Sequence, residues 1–314
     1  MADLVSKIGR DIAGYFWSNQ EFDYRKDTLE TNAYPIDLSF TLEKEHLYYL
    51  PKDKDGLPQR EYYSVGKQYN PTRIAAYALA HYNSYIDSRD QKHKETFLKA
   101  ANWFLKSKDG RWVYNFDWGK LHAPWISAMA QGEGISVLVR AWALTKEQKY
   151  LDQAIKACHP MSMPISEGGV LSRLKDGTPF LEEYPVEKPV HVLNGFMYAI
   201  IGLVDMERIT KSRISSCLRV DELIAGLEKH IDDWDIGYWS AYDLSTNKIG
   251  VRNAVTVSYH RLHTTQLLFL GEWSKSEALL KKAEIWRRYE QKLSNRMKAF
   301  IVKMIYRMME KAQR

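Results

Sequence analysis

Cysteine is almost absent from this chain of 314 residues: only Cys158 and Cys217 occur, and no CxxC spacing is present. A disulfide framework and a thiolate zinc site are therefore both disfavoured, and the plain expectation is a pair of reduced core thiols. No charge-free apolar run approaches the ~20 residues of a membrane-spanning helix. The first residues, MADLVSKIGRDIAGYFW, carry Asp3, Lys7, Arg10 and Asp11 where a secretory leader would need an apolar stretch. A cytoplasmic protein is expected on this ground. The motifs of several large enzyme classes are also missing. There is no GxGxxG after a strand, no phosphate-binding P-loop, no GxSxG and no HExxH. Dinucleotide, phosphoryl-transfer and serine-hydrolase chemistry thus have no sequence support, and no cofactor is expected.

Positive charge is plentiful in one place only. The net charge is +6, but Lys281 to Arg314 holds eleven Lys and Arg against three Glu, so the first 280 residues are slightly acidic. A nucleic-acid groove would want its basic residues around the folded body, so no nucleic-acid partner is expected. Within the tail, KLSNRMKAFIVKMIYRMMEKAQR places Met297, Phe300, Ile301, Met304, Ile305 and Met308 at helical spacing among basic residues. Such a basic amphipathic helix suits an anionic membrane surface. It equally suits packing on its own body or on a second subunit as a homodimer. The first of these readings would put the protein at the periphery of an inner membrane.

With 45% hydrophobic residues the chain can bury a sizeable core. Its periodicity is mostly helical and arranged in pairs. Residues 71–88 follow Asn70 as N-cap and Pro71 at the first helical position, and residues 91–107 repeat the period. Further pairs fall at 125–144 with 146–157, 191–209 with 218–230, and 257–270 with 273–291. The hairpins start at 71, 125, 191 and 257, roughly 54 to 66 residues apart. Helix pairs repeated in this way stack around an axis and throw their long connections to one end. The expected fold is mainly α, an α/α toroid or partial barrel of about four helical hairpins. The stretch before it holds short aromatic segments such as YPIDLSF, HLYYLP and EYYSVG, read as a few strands. The expected division is an N-terminal arm over 1–65, a barrel over 66–290 and the basic helix over 291–314.

The long connections collect tyrosines, carboxylates and histidines. FLEEYP supplies Glu182, Glu183 and Tyr184 just before the apolar run VLNGFMYAIIGL; GYWSAYDL supplies Tyr242 and Asp243; VSYHRLH supplies Tyr259, His260 and His263. On a helix Tyr259 and His263 share one face, with His260 close by. His260 and His263 have i, i+3 ligand spacing, but no third ligand is evident, so no metal is expected.

These stretches resemble, in order, the signature elements of the glucuronyl C5-epimerase family, whose members convert glucuronate to iduronate within heparan-type chains. EEYP with VLNGFMYAIIGL, WISAMAQGEGISVLVRAW, AYDL and SYHRLH carry the resemblance, and YNPTRIAAYALAHY is similar to the family's first barrel helix. It covers roughly residues 65–272 and implies an α/α barrel, in agreement with the hairpin pattern. It also implies a uronate-containing polysaccharide as substrate. Carried over by position, it assigns catalysis to Glu183, Tyr184, Tyr242 and Tyr259. His260, His263, Asn253, Arg252, Gln131, Trp125, Tyr69 and Asn70 are the substrate-binding candidates. Two departures stand out: Ser245 and Thr256 occupy positions where the family tends to have arginine. Arg252 or Arg261 is the expected replacement for holding the uronate carboxylate.

C5 inversion needs acid/base groups on both faces of the ring and donors for the enediolate-like state. Phenols serve as donors when neutral, or as bases when cations lower their pKa. The expectation places Tyr184 and Tyr259, or Glu183 and Tyr259, on opposite faces, with Tyr242 and His260 on the carboxylate. Two other readings stay open. A polysaccharide lyase removes the same proton and then expels the C4 oxygen. A non-catalytic glycan-binding scaffold would account for the replaced arginines.

Overall fold

The computed structural model describes residues 15, 22–212 and 219–309. It is 58% helical and has no closed sheet, an open α/α toroid-like arrangement. The helical pairs are α1 (Pro71–Ser88) with α2 (Gln91–Phe104), α3 (Ala128–Thr145) with α4 (Gln148–Ser162), α5 (Leu193–Thr210) with α6 (Val220–His230), and α7 (Val257–Ser274) with α8 (Glu277–Gln291). A ninth described helix of this size, α9, spans Leu293–Met309. Among the described residues there are also three two-stranded antiparallel ribbons: β1 (Arg60–Tyr62) with β2 (Gly66–Gln68), β3 (Leu171–Arg173) with β4 (Pro179–Leu181), and β5 (Ala241–Thr246) with β6 (Arg252–Ala254). Only β1–β2 lies in the region where strands were expected; the other two ribbons stand in the connections before α5 and α7.

Local chemistry sets the helix starts. The Asn70 side chain accepts from the Arg73 amide with Pro71 at the first turn, and the Thr256 and Ser276 hydroxyls accept from Tyr259 and Leu279. These caps satisfy backbone donors that would otherwise be orphaned. Inner helices α1, α3, α5 and α7 pack in that order around the axis. The tightest approach is between α3 and α5, where a β-carbon on Gly132 would lie 2.4 Å from the Tyr198 carbonyl and one on Gly202 2.2 Å from that of Gly132. Two glycines thus let these backbones touch.

The arm spans the ring from its last inner helix to its first. Thr265 of α7 donates to the Phe22 carbonyl (2.6 Å) and Tyr24 donates to Glu272 (2.5 Å). Asn83 of α1 accepts from the Tyr34 amide (2.7 Å) and donates to its carbonyl (3.1 Å). Tyr34, Ile36, Leu38, Phe40, Tyr49 and Leu57 belong to the same apolar core as the helices. These contacts fall on α7 and on the C-terminal half of α1, and the arm also reaches the start of α1, where Arg73 donates to the Leu50 carbonyl (3.0 Å).

One expectation fails here. Cys158 is buried and disulfide-bonded rather than reduced; Cys217 lies outside the described residues. Sequence spacing reports proximity along the chain and is blind to proximity made by folding.

Candidate active site

The connection between β4 and α5 separates two adjacent acids. Glu182 is buried and accepts from the Ser172 hydroxyl (2.5 Å) and from His191 Nδ1 (2.6 Å), while its backbone joins Val170 and Ala128. It is a structural carboxylate that ties the β3–β4 ribbon to the starts of α3 and α5. Glu183, one residue on, points the other way, toward the toroid's interior. It sits against Gly195 in the first turn of α5, where a β-carbon would come within 2.6 Å of both its Cβ and its Oε2. The glycine of VLNGF is therefore the seat of this side chain.

Phenols gather on Glu183. The Tyr242 hydroxyl, from β5, donates toward Glu183 Oε1 at 3.5 Å, and Tyr184 also reaches the carboxylate. Tyr259, from the first turn of α7, stands with its ring 6.1 Å from that of Tyr242 in an edge-on arrangement and is 40% exposed. Tyr184 and Tyr242 are half-buried. A cleft of about 610 Å³ lies next along the chain, lined by Trp125, Pro185, Val186, Arg111, Lys120 and His122 and by none of the four clustered residues. The structure thus brings together the four residues singled out as catalytic, from three separate connections.

Burial dominates the electrostatics. It raises the Glu183 carboxyl to about 7, against the opposing pull of hydrogen bonds from Tyr184 and Tyr242. Burial also pushes the Tyr184 and Tyr242 hydroxyls well above their ordinary range, and the nearby Glu183 adds to it. This reverses the expectation of a phenol made basic by cations. With an acid and other phenols as neighbours, Tyr184 and Tyr242 stay protonated and act as donors. Oε2 of Glu183 has no hydrogen-bond partner. Oε2 of Glu182 is unpaired as well, so the neighbouring phenols, not the unpaired oxygen, set Glu183 apart.

The histidines do not join this cluster. His260 is stacked on Trp239 (3.8 Å between ring centres), donates through Nε2 to the Trp286 carbonyl (2.9 Å), and accepts through Nδ1 from the Ser240 hydroxyl (2.7 Å). The same hydroxyl takes the Nδ1 proton of His263 at 3.0 Å. Both rings are fully buried; burial lowers His260 to about 4 and His263 well below its usual value. They are neutral and hold the β5 connection onto α7 and α8. Tyr259 and His263 are four apart on α7 as expected, but Tyr259 lies at the helix's exposed first turn while His263 is buried in the core.

Other candidates are also engaged elsewhere. Gln131 is buried, accepts from the Trp112 amide and donates to the carbonyls of Gly110 and Ala157, so no sugar contact is available to it. Asn70 caps α1 and donates to the Tyr62 hydroxyl (2.8 Å), and Tyr69 donates to Asp53 (2.6 Å). Arg252 donates to the carbonyls of Asp233 and Asp243, and Arg261 pairs with Glu290 at 2.5 Å. Both guanidinium groups are thus held within the chain, with Nε of Arg252 left unpartnered. Ser245 and Thr256 have structural duties instead, the first donating to Asp243 and the second capping α7. Asn253 donates to Asp243 at 3.4 Å and accepts from Lys303 at 2.7 Å. Only Trp125 remains beside the cluster, 6.3 Å from the Tyr184 ring and stacked on Tyr114 at 4.1 Å.

Two residues near the site escaped the sequence reading. Glu133 of α3 is buried with Oε2 unpartnered, and burial followed by the charge of Glu183 raises it well above the usual carboxylate range. Tyr198 of α5 is buried among Glu133, Tyr259 and Glu183. Each carried a signal: an acid between two glycines in AQGEGIS, and a phenol inside the apolar run GFMYAIIG.

A helical toroid with a carboxyl ringed by phenols at one end is the class that these observations define. The family model for the D-glucuronyl C5-epimerase C-terminus matches residues 106–288, and the chain belongs to that family. D-glucuronyl C5-epimerase of Caenorhabditis elegans is 33% identical over 221 residues, which cover 64% of this chain and 36% of the nematode enzyme. The chain thus matches little more than a third of that relative's length. An uncharacterized protein of Methanocaldococcus jannaschii is 28% identical over 247 residues, 71% of this chain and 78% of its own. Among solved structures, a polysaccharide lyase overlies 94% of this chain and 81% of its own at a TM-score of 0.44 and 13% identity.

Proposed function

We propose that the protein is a C5-epimerase acting on D-glucuronyl residues of a uronate-containing polysaccharide and converting them to L-iduronyl residues. The observation that carries this reading is the cluster itself: a buried carboxyl brought to about 7, hydrogen-bonded by two neutral phenols, with a third phenol edge-on to one of them. A group that titrates near neutrality is an effective proton acceptor and is readily returned to its starting state.

In this mechanism the Glu183 carboxylate removes the C5 proton. The electron pair left on C5 moves into the adjacent uronate carboxyl, giving an enediolate stabilised by the hydroxyls of Tyr184 and Tyr242. The Tyr259 hydroxyl gives its proton to C5 from the opposite face. One proton has then been gained by Glu183 and one lost by Tyr259. The exposed Tyr259 takes its proton back from water and Glu183 gives its own to water after turnover, so the balance is restored through solvent. Oxidation states do not change, so the reading calls for no redox cofactor. The membership of the family supports the substrate class.

The test is incubation in D2O with unsulfated glucuronate–glucosamine polymers, N-acetylated and N-sulfated, followed by NMR of C5. Deuterium at C5 with new iduronate signals is expected. Formation of an ultraviolet-absorbing unsaturated uronate would make the protein a lyase, and tight binding without exchange on either polymer would make it a scaffold. Tyr259→Phe is expected to abolish exchange with the melting temperature unchanged; retained exchange would remove Tyr259 from the mechanism.

A further inference from the structure

The C-terminal helix α9 is mounted with its apolar side outward. Ala299 is buried and Phe300 packs edge-on against Tyr15 (5.3 Å). Lys303 donates to Asn253 of β6, and Arg296 donates to the Glu290 carbonyl (2.6 Å). The inward and lateral sides are therefore occupied by this chain's own groups, polar ones among them. On the outward side Leu293 is 60% exposed, Met297 50%, Ile301 54% and Met308 71%. At 100° per residue these four fall within one quadrant of the helix, and Met304 falls among them. They form a ridge roughly 22 Å long. An ordinary surface helix shows the reverse, with its apolar stripe against the core. A contiguous exposed ridge of this kind marks an interaction surface.

Charge decides what fits it. Leu293–Met309 contains Arg296, Lys298, Lys303 and Arg307 and no acid, and Lys292 precedes it. Lys298 lies on one flank of the ridge, still exposed, with its ammonium 4.0 Å from the Tyr238 ring centre. Arg296 and Arg307 lie on the other flank. Self-association through this face would set one cationic helix against another, so like charges would meet across a two-fold axis. An anionic lipid surface accepts both the apolar ridge and the flanking cations. No helix among the described residues is long and apolar enough to cross a membrane.

We propose that α9 is an interfacial helix that lays the Leu293–Met297–Ile301–Met308 ridge into an anionic lipid surface, with Lys292 and Lys298 toward the headgroups. Because Lys303 joins α9 to Asn253 of β6, docking holds the ribbon that carries Tyr242 near that surface. The proposal does not rest on the epimerase reading.

The test is co-sedimentation of the full chain with vesicles of phosphatidylcholine alone and of phosphatidylcholine with phosphatidylglycerol, at low and high salt. Binding to the anionic vesicles is expected, weakened by salt and weaker still without phosphatidylglycerol. In a double variant, Met297→Glu with Ile301→Glu, binding is expected to fall roughly tenfold or more, since both side chains leave the apolar phase. Both positions are solvent-facing, so the melting temperature should match the parent. Lys292→Glu with Lys298→Glu is expected to weaken anionic binding alone. Equal binding to both vesicle types, or binding unchanged in the Met297–Ile301 variant, would overturn the proposal. A two-chain mass in light scattering that the same variant abolishes would also overturn it and assign the ridge to a second copy.

Discussion

The two ends of the helical ring bury carboxyl groups in opposite ways. At the end closed by the arm, Asp205 takes Arg140 at 2.5 and 3.2 Å and Arg208 at 2.7 Å. The spare guanidinium donors go to the carbonyls of Asn32 and Ala33 at 3.0 Å and of Thr28 at 3.1 Å. Burial alone would raise the Asp205 carboxyl, but the two arginines outweigh it and hold it below the usual carboxylate range. At the other end Glu183 is equally withdrawn from water, and its partners are phenols. Its carboxyl therefore rises to about 7. A buried acid given cations becomes a fixed ion that staples the arm to α3 and α5. A buried acid given only neutral donors stays able to exchange a proton. The partners, and not the depth, distinguish scaffold from site.

The largest effects should come from exchanging these roles. Glu183→Gln keeps the shape and removes the proposed proton acceptor, and C5 exchange in D2O should fall by about 10² to 10⁴ with the circular dichroism spectrum unchanged. Asp205→Ala should do the reverse. Two buried guanidinium groups lose their counter-charge, which costs about 3–5 kcal/mol in urea denaturation. If instead Asp205→Ala were neutral in stability, the triad would not be the staple described here.

A smaller effect is expected at Asn83, which both accepts from and donates to Tyr34 of the arm. Asn83→Ala leaves a buried N–H and C=O unpaired, worth about 1–3 kcal/mol by denaturation, with turnover at saturating substrate retained.

The smallest contrast is in pH. As a base, Glu183 must be ionised, so kcat/KM should rise with pH through about 7, and Glu183→Gln should lack that inflection. The sign for stability is opposite. A carboxyl raised by folding binds its proton more tightly in the folded state, so its favourable contribution is full below the unfolded value and is lost as pH rises through about 7. The melting temperature of Glu183→Gln should therefore exceed the parent's at pH 8 and equal it at pH 4. An unchanged difference between the two pH values would show that Glu183 is not raised by burial.

Much of this was legible in the residues. Asn70-Pro71 and Thr256 announce helix starts because capping is local chemistry, and the hairpin spacing announces a ring because each pair must bury a stripe against the next. The order of EEYP, AYDL and SYHRLH pointed to the residues that the structure gathers. Legibility stopped where a side chain had two directions to choose from. Nothing local separates Glu182 from Glu183, one a structural acceptor for Ser172 and His191 and the other a partner of Tyr242. His260 and His263 lie in the same short motif as Tyr259, yet Trp239 and Trp286, which come from other elements, hold them in the core. Gln131 read as a sugar contact because a polar residue in a signature helix invites it, although its amide is spent on Gly110 and Ala157.

The sequence by itself determined the helical pairs, their order around the axis and the connections that carry acids and phenols, because periodicity and capping act over a few residues. Tertiary structure alone decided which acid meets cations, which tyrosines meet Glu183, and that α9 turns its apolar side outward. Those outcomes depend on groups brought together from distant parts of the chain, and on the low dielectric created only when they meet.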